Sequence, residues 1–204
     1  MKQSLLLVYC LLTCIILASS CSKKSNTTSD PMNGVTPLRT SIATKYPADT
    51  IYTMPSNIGN HGLKFHATWP GSITQLGCRM PTPGTYEVIL FDYDANTLIA
   101  KANVVVTNGN DFAYTPISSV SIVVNKFYVV SVNNASNGVG QRYFQLFKKP
   151  TTIYSIYPFR VKQITIDMPF SSTGNSSVFP RSNNISDYPF IRGVPDFVFE
   201  PAAR

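Results

Sequence analysis

The chain has 204 residues, 44% of them hydrophobic and 13% charged, and its 17 Lys and Arg against 10 Asp and Glu give a net charge of +7. That length and apolar content are ample for one domain built on its own core. The basic residues never run longer than the pairs Lys23-Lys24 and Lys148-Lys149; the charge suits a mixed solvated surface, or contact with anionic headgroups or acidic glycans, and lacks the stripe that a nucleic-acid partner requires.

The N-terminal segment "MKQSLLLVYCLLTCIILASS" opens on the cation Lys2, continues as an apolar run from Leu5 to Leu17, and closes on the small residues Ala18, Ser19 and Ser20. This is the order of a secretory signal, and the run is shorter than the ~20 residues of a membrane span. Cys21 follows at once, so the segment resembles the lipobox of bacterial lipoproteins, with Leu17 one place earlier than the usual leucine. The resemblance implies cleavage after residue 20, acylation of Cys21 by thioether-linked and amide-linked chains, and a lipid bilayer as partner. Several chains hold stably where one does not, because each buried CH₂ contributes ~0.8 kcal/mol. Lys23 and Lys24 stand where an acidic residue would mark retention in the inner membrane or export to the surface, and the implied location is the outer membrane of a bacterial envelope, on its periplasmic or its surface face.

Cys10 and Cys14 leave with the signal, and Cys78 is then the single cysteine of the domain, without a disulfide partner. It alternates with Leu76 and Met80 in "SITQLGCRM", as a small inward-facing hydrophobe does. Residues 21–45, rich in Ser, Thr, Asn and Pro at their start, read as a flexible tether, and residues 46–204 as the folded domain. At the boundary, Asp49-Thr50-Ile51 resembles a bacterial O-glycosylation acceptor, which makes Thr50 a candidate modification site.

From there hydrophobicity repeats every second residue. "GLKFHATWPG" places Leu63, Phe65, Ala67 and Trp69 on one face, which reads Trp69 as core, and Lys64, His66 and Thr68 on the other. "TYEVILFDYD" is apolar on both faces, turns at "DYDANT" and returns as "LIAKANVVV", a hairpin. "VSIVV" and "FYVVSV" repeat the scheme around Asn125-Lys126, and "QRYFQLFKK", "VKQITIDM" and "DFVFEP" each read as one further strand. With no helix of three turns in view, the pattern predicts an all-β chain: a single antiparallel β-sandwich, jelly-roll or Ig-like Greek key, after the N-terminal tether.

Several motifs recur in order: Gly62 to Phe65, Ile73 to Arg79, Asp92 to Ala100, Thr115 to Ile117, Tyr128 to Val132 and Asp196 to Pro201. In that order they resemble the bacterial domain-of-unknown-function family 4082 from about Thr50 onward. The resemblance implies a β-sandwich of exported bacterial proteins, found beside carbohydrate-active or adhesive domains. Its motifs are strand and turn signatures and bring no catalytic residue with them.

No motif of a hydrolase, zinc protease or phosphate loop is present, and the acids show no recognisable pair for glycoside hydrolysis. His61 reads as a loop residue and His66 as a surface strand residue. Asp92, Asp94 and Asn96 open like a calcium loop, but Thr97 and Asn103 occupy its Gly and Glu positions; this excludes an EF-hand and leaves a looser Ca²⁺ site at the turn as the metal candidate. The loop aromatics Tyr93, Tyr188 and Phe190 are the candidate sugar-stacking residues. The expectation is a non-catalytic, cofactor-free binding module for glycans or other extracellular polymers. The alternative is a structural or assembly lipoprotein that binds envelope proteins.

Overall fold

The alternation of period two becomes strands almost wherever it occurs. The computed structural model describes residues 34–45, 51–56, 58–147, 156–174, 178–180 and 190–203. Helix α1 (Pro37–Lys45) precedes β1 (Ile51–Met54), β2 (Gly59–Ala67), β3 (Gly71–Arg79), β4 (Gly84–Asp92), β5 (Thr97–Val106), β6 (Phe112–Ile122) and β7 (Phe127–Asn133). Then come β8 (Ala135–Ser136), β9 (Val139–Gly140), β10 (Tyr143–Phe147), β11 (Phe159–Val161), β12 (Ile164–Thr173), β13 (Phe190–Arg192) and β14 (Pro195–Pro201).

The protein is an all-β antiparallel sandwich. A six-stranded sheet ordered β11-β12-β2-β7-β4-β5 shares one core with a three-stranded sheet ordered β14-β3-β6. Leu63 and Phe65 of β2 and Val88 and Leu90 of β4 meet Leu76 and Cys78 of β3 and Phe197 and Phe199 of β14. The rings of Phe65 and Phe197 lie 4.5 Å apart between centroids. Smaller sheets, β1-β10-β13 and β8-β9, complete the described strands.

Strand β4 is buried on both faces, as its sequence predicts. Val88 and Leu90 enter the main core, while Ile89 and Phe91 join Val129 and Phe170 in a second cluster. The predicted hairpin at residues 92–97 joins β4 to β5, with Asp92 opposite Thr97. Its turn is built locally: Asp92 Oδ1 accepts the amides of Asp94 and Ala95, and Asn96 takes a positive φ of 53°.

Four expectations are corrected. The segment 120–132 is not a hairpin: β6 pairs with β3, whereas β7 lies between β2 and β4 in the other sheet. The intervening residues cross between sheets, with Val123 N–H donating to Tyr128 Oη and Asn125 N–H to the Ala67 carbonyl. "VKQITIDM" is not one strand, because Lys162 and Gln163 form the turn between β11 and β12. Trp69 lies beyond the end of β2 and is half-buried, not core.

The fourth correction concerns the tether, for the described part of the folded unit begins upstream at Gly34. Val35 exchanges two backbone hydrogen bonds with Phe199, of 2.7 and 2.9 Å, and Val35 and Leu38 are buried. Helix α1 lacks a local acidic cap. Asp196 supplies one from β14, accepting the amides of Leu38 at 3.1 Å and Arg39 at 3.0 Å, where unpaired N–H groups and the helix dipole favour an anion. Tyr114 Oη donates to the same carboxylate at 2.9 Å. Burial nonetheless outweighs these donors and pushes Asp196 up to about 6.

Candidate functional site

At one end of the sandwich the Thr68-Trp69-Pro70 link from β2 to β3 meets the β11–β12 turn and the residues closing β14. Together they line a cleft of about 480 Å³, within the range of small-molecule sites. Trp69, Pro201 and Ala202 give it apolar surface; Thr68, Arg160, Lys162 and Gln163 give it donors, an amide and two positive charges. Among the described residues no carboxylate lines it.

Each element is fixed by a short-range bond. Thr68 donates to the Gln163 carbonyl through its amide at 2.8 Å and through its hydroxyl at 3.2 Å, which ties the link to the turn. The Trp69 indole N–H donates to the Ala202 carbonyl at 3.3 Å, and Ala202 N–H to the Pro70 carbonyl at 2.9 Å, so the ring is held at its polar edge. Gly71 begins β3 against the backbone oxygen of Glu200 and the ring of Phe199, where a Cβ would collide with both.

Arg160 braces the turn. Its Nε–H donates to the Lys162 carbonyl at 2.7 Å and its Nη2 to Thr68 Oγ1 at 2.9 Å. Lys162 sits at φ 51°, a left-handed conformation that two-residue hairpin loops ordinarily assign to Gly or Asn. Gln163 Oε1 is buried and has no partner among the described residues.

The candidates named from sequence fall elsewhere. Tyr93 is half-buried on the outer face of the six-stranded sheet, against Phe127, Phe170 and Phe179. The Lys64 ammonium lies 3.9 Å from its ring centroid and 3.8 Å from that of Phe127. The ring is thus a cation–π partner within the fold, not a vacant stacking platform. Phe190 is buried in β13, opposite Phe147 of β10, and this placement corrects its reading as a loop aromatic. Tyr188, Thr50 and Cys21 lie outside the described residues.

Asp92 accepts from Lys126 Nζ at 2.6 Å besides the turn amides, contacts that hold its carboxyl below the usual range. Asp94 and Asn96 are exposed in the same turn. Among the described residues no group of three or more His, Cys, Asp or Glu side chains is placed to hold a metal. His66 Nδ1 meets Asp167 at 2.9 Å on the outer face. His61 is a strand residue of β2, not a loop residue. It is buried with its ring tilted against that of Tyr143, 4.1 Å between centroids, and burial, with Arg192 as a second cause, lowers it to about 4.

No protein-family model matches the chain, and no curated protein matches it. The cleft must therefore be read from its own chemistry. A tethered indole beside hydrogen-bonding and cationic side chains can stack on the apolar face of a sugar ring and bind its polar rim.

Sequence reasoning missed this site for two reasons. The alternation of β2 runs through Trp69 and disguises it as core. The Lys162-Gln163 turn contains neither Gly nor Asn; its one available signal was the polar pair interrupting an apolar run.

Proposed function

We propose that the chain is a bacterial envelope lipoprotein, anchored in the outer membrane through acylated Cys21, whose sandwich is a non-catalytic binding module for glycans or other extracellular polymers. The observation that carries this reading is the Trp69 cleft, where an oriented indole and a ring of polar side chains share one concavity. The signal-like N-terminus supports the location, and the antiparallel sandwich supports the module type. The sugar site moves from the loop aromatics named in the sequence to Trp69.

A glycan-array screen of the full chain in detergent tests the binding reading. Reproducible hits that vanish in Trp69→Ala and persist in Tyr93→Ala are expected. A blank array, or hits indifferent to Trp69→Ala, would refute it, and a blank array with co-purifying envelope proteins would favour the assembly alternative. For the anchor, Cys21→Ser should abolish lipid incorporation and release the chain from membranes; a wild-type chain carrying no lipid would overturn that part alone.

A further inference from the structure

We infer that the Trp69 cleft selects acidic sugars, those carrying a carboxylate or a sulfate, over neutral ones. The inference rests on the glycan reading of the cleft and specifies its ligand class.

The cleft gathers two cations and, among the described residues, no carboxylate. Lys101 pairs with Glu87 at 3.1 Å, Lys126 pairs with Asp92 at 2.6 Å, and Lys64 lies between two aromatic rings. Arg160 and Lys162 stand together on one hairpin beside a cleft that no acid lines among the described residues. Neither has a carboxylate partner among the described residues. Two uncompensated cations in a concavity focus positive potential into it.

Arg160 is also oriented by the fold. Both hydrogen bonds of Arg160 are made to neutral oxygens, the Lys162 carbonyl and Thr68 Oγ1, so its side chain is oriented while its charge is not neutralised. Its Nη1 amino group has no partner among the described residues and can donate charge-assisted hydrogen bonds to a carboxylate or sulfate. The left-handed backbone at Lys162 costs energy that a Gly would save. The residue in this conformation lines the cleft and carries an ammonium. Trp69, fixed through its indole N–H, supplies the ring platform, so one ligand that joins a pyranose to an anionic substituent would satisfy all three side chains.

The test is isothermal titration of the full chain in detergent with three probes: a galacturonic-acid trimer, a sulfated galactose trimer and the neutral galactose trimer. At least one acidic probe should bind about tenfold tighter than the neutral one, the worth of one charge-assisted hydrogen bond, and should weaken as salt rises. Lys162→Asn removes the charge with a residue suited to the left-handed turn, and Arg160→Gln removes the guanidinium. Each should bring acidic binding toward the neutral level, whereas Trp69→Ala should weaken acidic and neutral probes alike. The preferred acidic probe distinguishes carboxylate from sulfate. Equal binding of neutral and acidic trimers, lost in Trp69→Ala, would overturn the selectivity and leave the glycan reading standing; no binding by any trimer would overturn both. Inorganic sulfate or polyglutamate binding as tightly as the acidic trimer would identify a general anion site and overturn the inference.

Discussion

Asp196 offers the sharpest test of the energetics. Its carboxyl is 1% exposed and is raised to about 6 by burial, against the backbone amides of Arg39 and Leu38 and the Tyr114 hydroxyl, which favour its charged form. In the unfolded chain an Asp titrates near ~3.9. The native state therefore holds a proton that the unfolded state has lost between those values. The stability contribution is complete below the unfolded value and declines as pH rises through about 6. About two pH units of offset correspond to ~3 kcal/mol. Asp196→Asn removes this titration while keeping the shape of the side chain. Urea unfolding followed by circular dichroism, on both proteins from pH ~4 to pH ~7, should show the difference in stability moving by ~2 kcal/mol in favour of the variant as pH rises. Taking the difference cancels His61, whose lowered value makes the native state lose stability as pH falls from about 6.5 through about 4. A difference that stays constant, or moves toward the wild type with rising pH, would refute the account of a desolvated carboxylate.

Leu76 is fully buried in the shared core, and Leu76→Ala should cost ~2–5 kcal/mol in denaturant unfolding. Cys78 is equally buried, and burial pushes its thiol far up; thiol reagents should label it in guanidinium and leave it unmodified in the native protein. A double-mutant cycle on Lys64→Met and Tyr93→Ala should return a coupling of ~0.5–2 kcal/mol, with glycan binding unchanged in Tyr93→Ala. Lys162→Gly should raise stability by ~1 kcal/mol by relieving the left-handed backbone, while weakening acidic ligands; a variant that is destabilised would contradict the strain.

The sequence revealed most where structure is decided locally. The β4–β5 hairpin was legible because Asp92 and Asn96 carry the turn chemistry themselves. The inward Cys78 and the two-sided burial of β4 followed from alternation alone. Whether β6 folds back on β7 or crosses to the other sheet is settled by packing against β3 and β2, so the same apolar pattern serves both outcomes. Helix α1 was hidden because its cap comes from Asp196, 158 residues from Leu38 along the chain. The cleft was hidden for the same kind of reason: Trp69, Arg160 and Ala202 meet only after β2, β11 and β14 are in place.

The backbone pairing of Val35 with Phe199 has a consequence for self-association. Strand β14 borders the three-stranded sheet, and an uncovered border offers a template for a foreign strand. Here the molecule's own upstream segment takes up the Phe199 N–H and carbonyl, and α1 packs beside the same strand. A fragment begun at residue 46, where composition draws the domain boundary, would lack that cover. Two such fragments could each lend the other a strand, and they should appear as dimers or fibrils where the chain from Asn33 remains monomeric in size-exclusion chromatography.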